Sequence, residues 1–316
     1  MLRVSLTIAM VAMSLGFVAA STEAAPGPAR AVLVTGASSG IGRKVTERLA
    51  ADGWFVYACA RKEADLRALA AIPNVQAIPL DVTKPAEIDA AVEAVGKAGR
   101  GLYGLVNNAG IYTGGMVLDT KPEEFDLVMQ VNVYGPYRVT RAFVPMIRAA
   151  RGRIVNIGSI AGVLNDPGEG AYQMSKHAIE TFSATMGKEL ASDGVLVSTV
   201  EPGAYKSEIL RTAAQRSGTV TQLDVDESAR RPEPDDVAAA VEMALSEARP
   251  KARYMVVPSE NQARMTIEAQ IAQLVELNED QRYTFDRAEL IRILDAALEK
   301  ARPRTAVQQS HPEGAP

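Results

Sequence analysis

From residue 31 to residue 257, short apolar runs rich in Val, Ile and Leu alternate with longer stretches whose apolar positions recur at helical spacing. The pattern predicts strands at 31–35, 54–59, 75–80, 103–107, 153–157, 195–200 and 253–257, with helices at 40–51, 63–71, 85–98, 123–149, 171–191 and 235–247. A strand that returns parallel to its predecessor needs a crossover. The expected fold class is therefore α/β, a doubly wound parallel sheet with helices on both faces. Two segments depart from the alternation. Residues 204–232 form a long polar stretch with no strong period, and such loops in compact domains are usually functional or disordered. Residues 259–300 carry apolar positions at Met265, Ile267, Ile271, Leu274, Val275 and Leu277, then at Leu290, Ile293, Leu294, Ala297 and Leu298. These spacings describe two amphipathic helices in a C-terminal extension, expected to pack on the core. Residues 301–316 read as a disordered tail.

The N-terminus is different in kind. Arg3 precedes an apolar run from Val4 to Ala20 that ends on the small residues Val18-Ala19-Ala20. That is the grammar of a signal peptide over residues 1–20, and the run is slightly short of the roughly 20 apolar residues of a comfortable membrane span. An uncleaved membrane anchor, or a start at Met10 or Met13, is the alternative. Export is slightly favoured, with a cytoplasmic or membrane-tethered protein next. Arg3 stands alone, so no twin-arginine signal is present. Residues 21–29, rich in Pro and Ala, read as a linker, and the main domain is placed at 30–258.

The 316 residues are 47% hydrophobic and 23% charged with a net charge of −4, which suits one soluble globular domain. Lys and Arg are scattered, and no basic stripe with interleaved aromatics points to nucleic acid. The one cysteine, Cys59, excludes an internal disulfide and falls in a strand, where a buried inert thiol is expected. His177 and His311 stand in no metal-ligand spacing, so no metal is expected.

Chemistry enters at two places. The first strand stops at Gly36-Ala37-Ser38-Ser39-Gly40-Ile41-Gly42 and the first helix follows. Glycines let a backbone approach a pyrophosphate, whose charge then lies on the free N–H groups and positive dipole end of the helix. The second place is Tyr172-Gln173-Met174-Ser175-Lys176, a phenol and an ammonium four residues apart on one helix face. A neighbouring cation lowers a Tyr pKa from its reference near 10, which makes Tyr172 a candidate proton donor or acceptor. After strand two the chain reads Ala60-Arg61-Lys62 with no acid. A carboxylate there would suit the ribose hydroxyl of NAD, whereas Arg61 suits the 2′-phosphate of NADP(H). NADP(H) is the expected preference and NAD(H) the alternative.

With Thr35-Gly36-x3-Gly40-x-Gly42, Asn107-Asn108-Ala109-Gly110, Ser159 and Tyr172-x3-Lys176 in that order, residues 29–258 resemble the short-chain dehydrogenase/reductase family. The resemblance implies a single Rossmann-type domain with strand order 3-2-1-4-5-6-7 and the cofactor across the switch point between strands 1 and 4. It implies Asn132, Ser159, Tyr172 and Lys176 as the catalytic set. Tyr172 would exchange the proton, Ser159 would bind the reacting oxygen, Lys176 would keep the Tyr pKa low and grip the nicotinamide ribose, and Asn132 would hold a water. It also implies cofactor contacts from Gly36, Ser38, Ser39, Gly40, Ile41, Gly42, Arg61, Asp81, Val82, Asn108, Ala109, Gly110, Tyr172, Lys176, Pro202, Gly203 and Ser207. Residues 204–232 become a substrate lid, with Tyr205, Ile209, Leu210, Val220 and Leu223 over an apolar alcohol or carbonyl compound. Glu201 to Ser207 is similar to the turn in steroid- and retinol-type members. A homodimer or homotetramer is expected, with membrane contact only through the N-terminal segment. A catalytically idle NADPH sensor, or an epimerase or dehydratase with bound NAD, is the alternative reading.

Overall fold

A computed structural model describes residues 30–301, so the expected leader and linker and residues 302–316 of the expected tail lie outside the described residues. Seven parallel strands form one sheet: β1 (Ala31–Val34), β2 (Phe55–Ala60), β3 (Val75–Pro79), β4 (Gly104–Asn107), β5 (Arg153–Ile157), β6 (Leu196–Pro202) and β7 (Arg253–Val256). Their order is β3-β2-β1-β4-β5-β6-β7, as expected. Ala31 pairs with Phe55 and Val32 with both Val56 and Gly104, so β1 runs down the middle of the reversal in strand order.

Alternation along β1 divides the core. Val32 and Val34 face one side, where Val45, Leu49, Val241 and Leu245 cover them. Leu33 faces the other, with Leu105, Phe143, Ile147 and Ile154. Successive strand residues point to opposite faces, and helices over both faces explain why every β1 residue is buried. The covering helices are α1 (Gly40–Ala51), α2 (Glu63–Ala70), α3 (Pro85–Ala98), α4 (Pro122–Met129), α5 (Gly135–Ala149), α6 (Gly170–Glu189) and α9 (Asp235–Ser246).

Three expectations change. The long helix at 123–149 is two helices, α4 and α5, joined by a π-helical turn over Gln130–Tyr134. The cause is local: Pro136 has no N–H for the Asn132 carbonyl four residues earlier, and a Cβ at Gly135 would come within 2.7 Å of the Val82 side chain. The stretch 204–232 is not structureless, because it holds α7 (Ile209–Ser217) and α8 (Gln222–Arg230). Thr221 caps α8 reciprocally with Asp224, the hydroxyl accepting from the Asp224 N–H while the Asp224 carboxylate accepts from the Thr221 N–H. The C-terminal helices α10 (Glu260–Asn278) and α11 (Arg287–Ala301) form as expected but do not pack on the core. Thr266 is the one buried residue of α10 and α11 has none, while Ile271 is 54% exposed and Leu294 58%. Both faces of the sheet are already covered, which leaves no open apolar surface there for a further pair of helices.

Candidate active site

The glycine turn after β1 is built by steric demand. Gly36 and Gly40 take left-handed backbone, φ +66° and +52°, and a Cβ at Gly42 would come within 2.3 Å of both the Gly36 carbonyl oxygen and Asn108 Nδ2. Hydrogen bonds then fasten the turn to the end of β4. Thr35 Oγ1 accepts from the N–H groups of Asn108 and Ala109, each at 3.0 Å, and Asn108 Nδ2 donates to the carbonyls of Thr35 at 2.9 Å and Gly36 at 3.0 Å. Helix α1 starts at Gly40 with no side-chain cap from Ser39, so its first N–H groups are free to meet an anion.

A cavity of about 950 Å³ runs from this turn across the carboxyl ends of the strands. Gly36, Ser38, Ser39, Gly40, Ile41 and Gly42 line it, with Arg61, Asp81 and Val82 at one end. Asn108, Ala109 and Gly110 form the middle wall, and Ser159, Tyr172, Lys176, Pro202, Gly203 and Ser207 the far part. Arg61 is exposed at the cavity rim just past β2. Asp81 accepts from the N–H (2.9 Å) and hydroxyl (2.7 Å) of Thr83. Burial pushes the Asp81 carboxyl up, but the two Thr83 bonds and the charges of Arg61 and Lys84 outweigh it and hold it below the ordinary value.

At the far end, Ser159 follows β5, and Tyr172 and Lys176 project from α6. Ser159 Oγ accepts from the Ala161 N–H at 3.1 Å and donates to the Pro202 carbonyl at 3.4 Å. Lys176 is buried and donates from Nζ to the Ile157 carbonyl at 2.9 Å, its nitrogen 5.6 Å from the centre of the Tyr172 ring. The expected lowering of the Tyr172 pKa is reversed in this structure. Burial pushes the phenol up to about 12, opposed by a hydrogen bond with Ser159, and Lys176 is not among its main influences. Burial also brings the Lys176 ammonium down to about 8, against the pull of Glu180.

Asn132 is not part of the cavity lining, although a Cβ at Gly110 would come within 3.5 Å of its Oδ1 and 4.0 Å of the Lys176 nitrogen. It sits in the π-helical turn, buried and behind the cavity wall, with Oδ1 accepting from Ile111 N–H at 2.9 Å and Nδ2 donating to the Ile111 carbonyl (2.9 Å) and Ser175 Oγ (3.0 Å). Ser175 in turn donates to the Tyr172 carbonyl at 2.6 Å. Asn132 thus braces the helix that carries Tyr172 through Ser175, a fully buried hydroxyl inside the Tyr-x3-Lys motif whose part the spacing does not reveal. Tyr112 and Glu169 stand in no sequence motif either. The Tyr112 ring lies 5.1 Å from that of Tyr172, and its hydroxyl donates to Glu169 Oε1 at 3.1 Å. Of the expected lid residues, Tyr205, Ile209, Leu210 and Val220 line the cavity, whereas Leu223 is 80% exposed and does not. Among the described residues, no cluster of His, Cys, Asp or Glu could hold a metal, and no helix is long and apolar enough to cross a membrane.

A glycine-lined crevice outside the carboxyl ends of β1 and β4, where the strand order reverses, is the ligand site of doubly wound nucleotide-binding folds. The family model for short chain dehydrogenase matches residues 30–218, and the chain belongs to that family of oxidoreductases. It is 38% identical over 190 residues to the mitochondrial D-beta-hydroxybutyrate dehydrogenase of Bos taurus, a match over 57% of this chain and 55% of that protein. The chain therefore spans just over half the length of this relative. It is 33% identical to the 3-oxoacyl-(acyl-carrier-protein) reductase of Vibrio cholerae over 72% of this chain and 92% of that one. An actinorhodin polyketide ketoreductase crystallised with NADPH superposes with a TM-score of 0.66 at 28% identity, covering 74% of this chain and 97% of the other. The uncapped start of α1, and turn positions where a Cβ would not fit, suit a nicotinamide dinucleotide as the class of ligand.

Proposed function

We propose that this chain interconverts a secondary or aldehyde-level alcohol and its carbonyl compound with NADP(H), Tyr172 acting as the general acid and base. One observation carries the reading: Ser159, Tyr172 and Lys176 line the same cavity as the glycine turn. A nicotinamide bound there supplies or accepts the hydride. The chain's own residues handle the proton. With its pKa pushed up to about 12, Tyr172 keeps its proton at neutral pH and is set to donate it to a carbonyl oxygen. Ser159, hydrogen-bonded to that phenol, would turn its hydroxyl from the Pro202 carbonyl, 3.4 Å away, to the same oxygen. Lys176, part-titrating near 8, supplies positive charge beside the Tyr172 ring.

Arg61 supports the NADP(H) preference. It stands at the rim beside Asp81 with no ion pair among the described residues, and the two positions directly after β2 are the cations Arg61 and Lys62, the nearest acids, Glu63 and Asp65, lying in the first turn of α2. For the substrate, Ile160, Leu164, Leu210 and Val220 offer an apolar wall next to Tyr172, while Tyr112 and Glu169 offer polar ends. A small carbonyl compound with an apolar body fits that surface. The names of the two relatives, a hydroxybutyrate dehydrogenase and a 3-oxoacyl reductase, point to the same pair of functional groups.

The test is NADPH oxidation with a panel of ketones and aldehydes, compared with Tyr172→Phe. The variant keeps the ring and loses the hydroxyl, so turnover should fall by about 10² to 10⁴ while NADPH still binds. A variant that turns over like the wild type sinks the mechanism. A wild type that binds NADPH and reduces nothing in the panel favours the idle sensor.

A further inference from the structure

Beside Lys176, outside the cavity lining, lies a group of charges that the proposed reaction does not use. Glu180 follows Lys176 by one turn of α6 and so shares its face. Its side chain runs under the segment that carries Ser159. A Cβ at Gly158 would come within 2.5 Å of Glu180 Oε1, and one at Gly162 within 3.0 Å of its Cγ. The two glycines flanking Ser159 to Ala161 leave the room that Glu180 occupies.

Two further charges face it. On β6, Glu201 is buried, and on β7 Arg253 grips it through two bonds, Nε to Oε1 at 2.5 Å and Nη2 to Oε2 at 2.9 Å. Arg253 reaches Glu180 Oε2 only at 3.4 Å. One committed guanidinium therefore serves two carboxyls. Glu180 Oε1 is buried with no hydrogen-bond partner, a costly state for an ionised oxygen and a tolerable one for a carboxyl that carries a proton and donates it to Glu201. The remaining cation at the cluster is Lys176, and the Ser159 segment adds no charge. Burial first, then the Glu201 charge, pushes the Glu180 carboxyl up to about 8, against Arg253 and Lys176.

We propose that Glu180 is a positioning residue for Lys176: it holds a proton against Glu201 at neutral pH, and on releasing that proton to solvent water it becomes the counter-charge that keeps Lys176 an ammonium. The inference rests on the reading of Lys176 as part of the reaction site. It adds that the charge of this lysine is set from behind the wall by a carboxyl that never meets substrate.

The experiment follows protons on the full chain without substrate. Infrared difference spectra between the wild type and Glu180→Gln should show, at neutral pH, the carbonyl band of a protonated carboxyl, and the band should fade as pH rises through about 8. Carbon-13 NMR titration of the lysine Cε signals, with Lys176 assigned through Lys176→Arg, gives the second reading. In Glu180→Gln the amide mimics the protonated acid and cannot become a counter-charge, so Lys176 should titrate about one pH unit lower, about tenfold in its ionisation constant. Glu201→Gln should do the opposite, because Glu180 then ionises earlier and holds the ammonium to higher pH. General disruption of packing would not move the two variants in opposite directions.

Melting curves supply a check of sign. A carboxyl whose folded pKa lies above its unfolded value stabilises the fold fully below the unfolded pKa and loses that contribution as pH rises through the folded one. The melting temperature of the wild type should therefore drop relative to Glu180→Gln between about pH 5 and about pH 8. The proposal is overturned if no carboxyl band is lost in Glu180→Gln, or if Lys176 titrates alike in all three proteins or moves the same way in both variants. Should Glu180→Gln fail to fold, Glu201→Gln decides alone: its carboxyl band must titrate at lower pH and its Lys176 at higher pH. Turnover retained by Tyr172→Phe would defeat the proposed reaction and leave these proton measurements untouched.

Discussion

Val34 in the central strand and Leu294 in the last helix are both aliphatic residues on elements that the sequence pattern identifies, yet one is fully buried and the other 58% exposed. Between residues 31 and 257 every element has a neighbour that needs it: β1 is clasped by β2 and β4, and α1 packs on α9. Helix α10 is tied to the domain by polar contacts, Gln262 accepting from the Ala204 N–H at 2.9 Å and Gln273 donating to the Val163 carbonyl at 2.7 Å, and α11 buries no residue. Amphipathic periodicity specifies an element and an apolar face. It does not specify that the face finds a partner within the same chain.

The largest effect that would sharpen this contrast is a core truncation. Phe143, fully buried on α5, should cost about 3–5 kcal/mol when changed to Ala, read by chemical denaturation. A loss below about 1 kcal/mol would mean that the sheet region is not the stability core. Next comes the cofactor end, where Arg61→Asp should weaken NADPH binding by roughly ten- to a hundredfold and leave NADH nearly unchanged in fluorescence titration. Equal affinities for the two cofactors in the wild type would remove the basis for that preference. A smaller, graded effect is expected with pH. In the proposed reduction Lys176 acts as the ammonium, so the rate should fall as pH rises through about 8, by about tenfold for each further unit, while Tyr172 itself stays protonated to about 12. A rate flat to pH 10 would show that Lys176 holds its proton far more tightly. The smallest effect belongs to α11, where Leu294→Ser should change stability by no more than about 0.5 kcal/mol. A loss as large as that of Phe143→Ala would show that α11 is buried in the working protein and would erase the contrast between the regions.

Local spacing explains how much of the site was legible beforehand. The glycine turn, Tyr172 and Lys176 are marked in the sequence by spacings of a few residues, and they line one cavity. The π-helical turn had a signal in Gly135-Pro136, which withdraws the donor Asn132 would otherwise face, but the apolar period runs through it unbroken and hides it. Helix α8 had one too in Thr221-x-x-Asp224, masked by the charged residues that follow. Glu180 and Ser175 carry no sequence mark, because their meaning depends on what β6, β7 and the π-helical turn bring against them. The Tyr172 pKa went the other way for the same reason. Spacing announces a neighbouring cation, whereas depth of burial appears only once the fold is closed.

The Thr35 hydroxyl, which accepts from two successive N–H groups at the end of β4, makes the glycine turn a finished receptor before any ligand arrives. A mould that is already set spares the incoming dinucleotide the entropy of ordering a loop, so affinity reflects contacts made rather than chain immobilised. Thr35→Ser keeps that acceptor and should leave association rates alone. Thr35→Val strands both donors, and its signature would be slow, temperature-sensitive capture by a turn that must first find its shape.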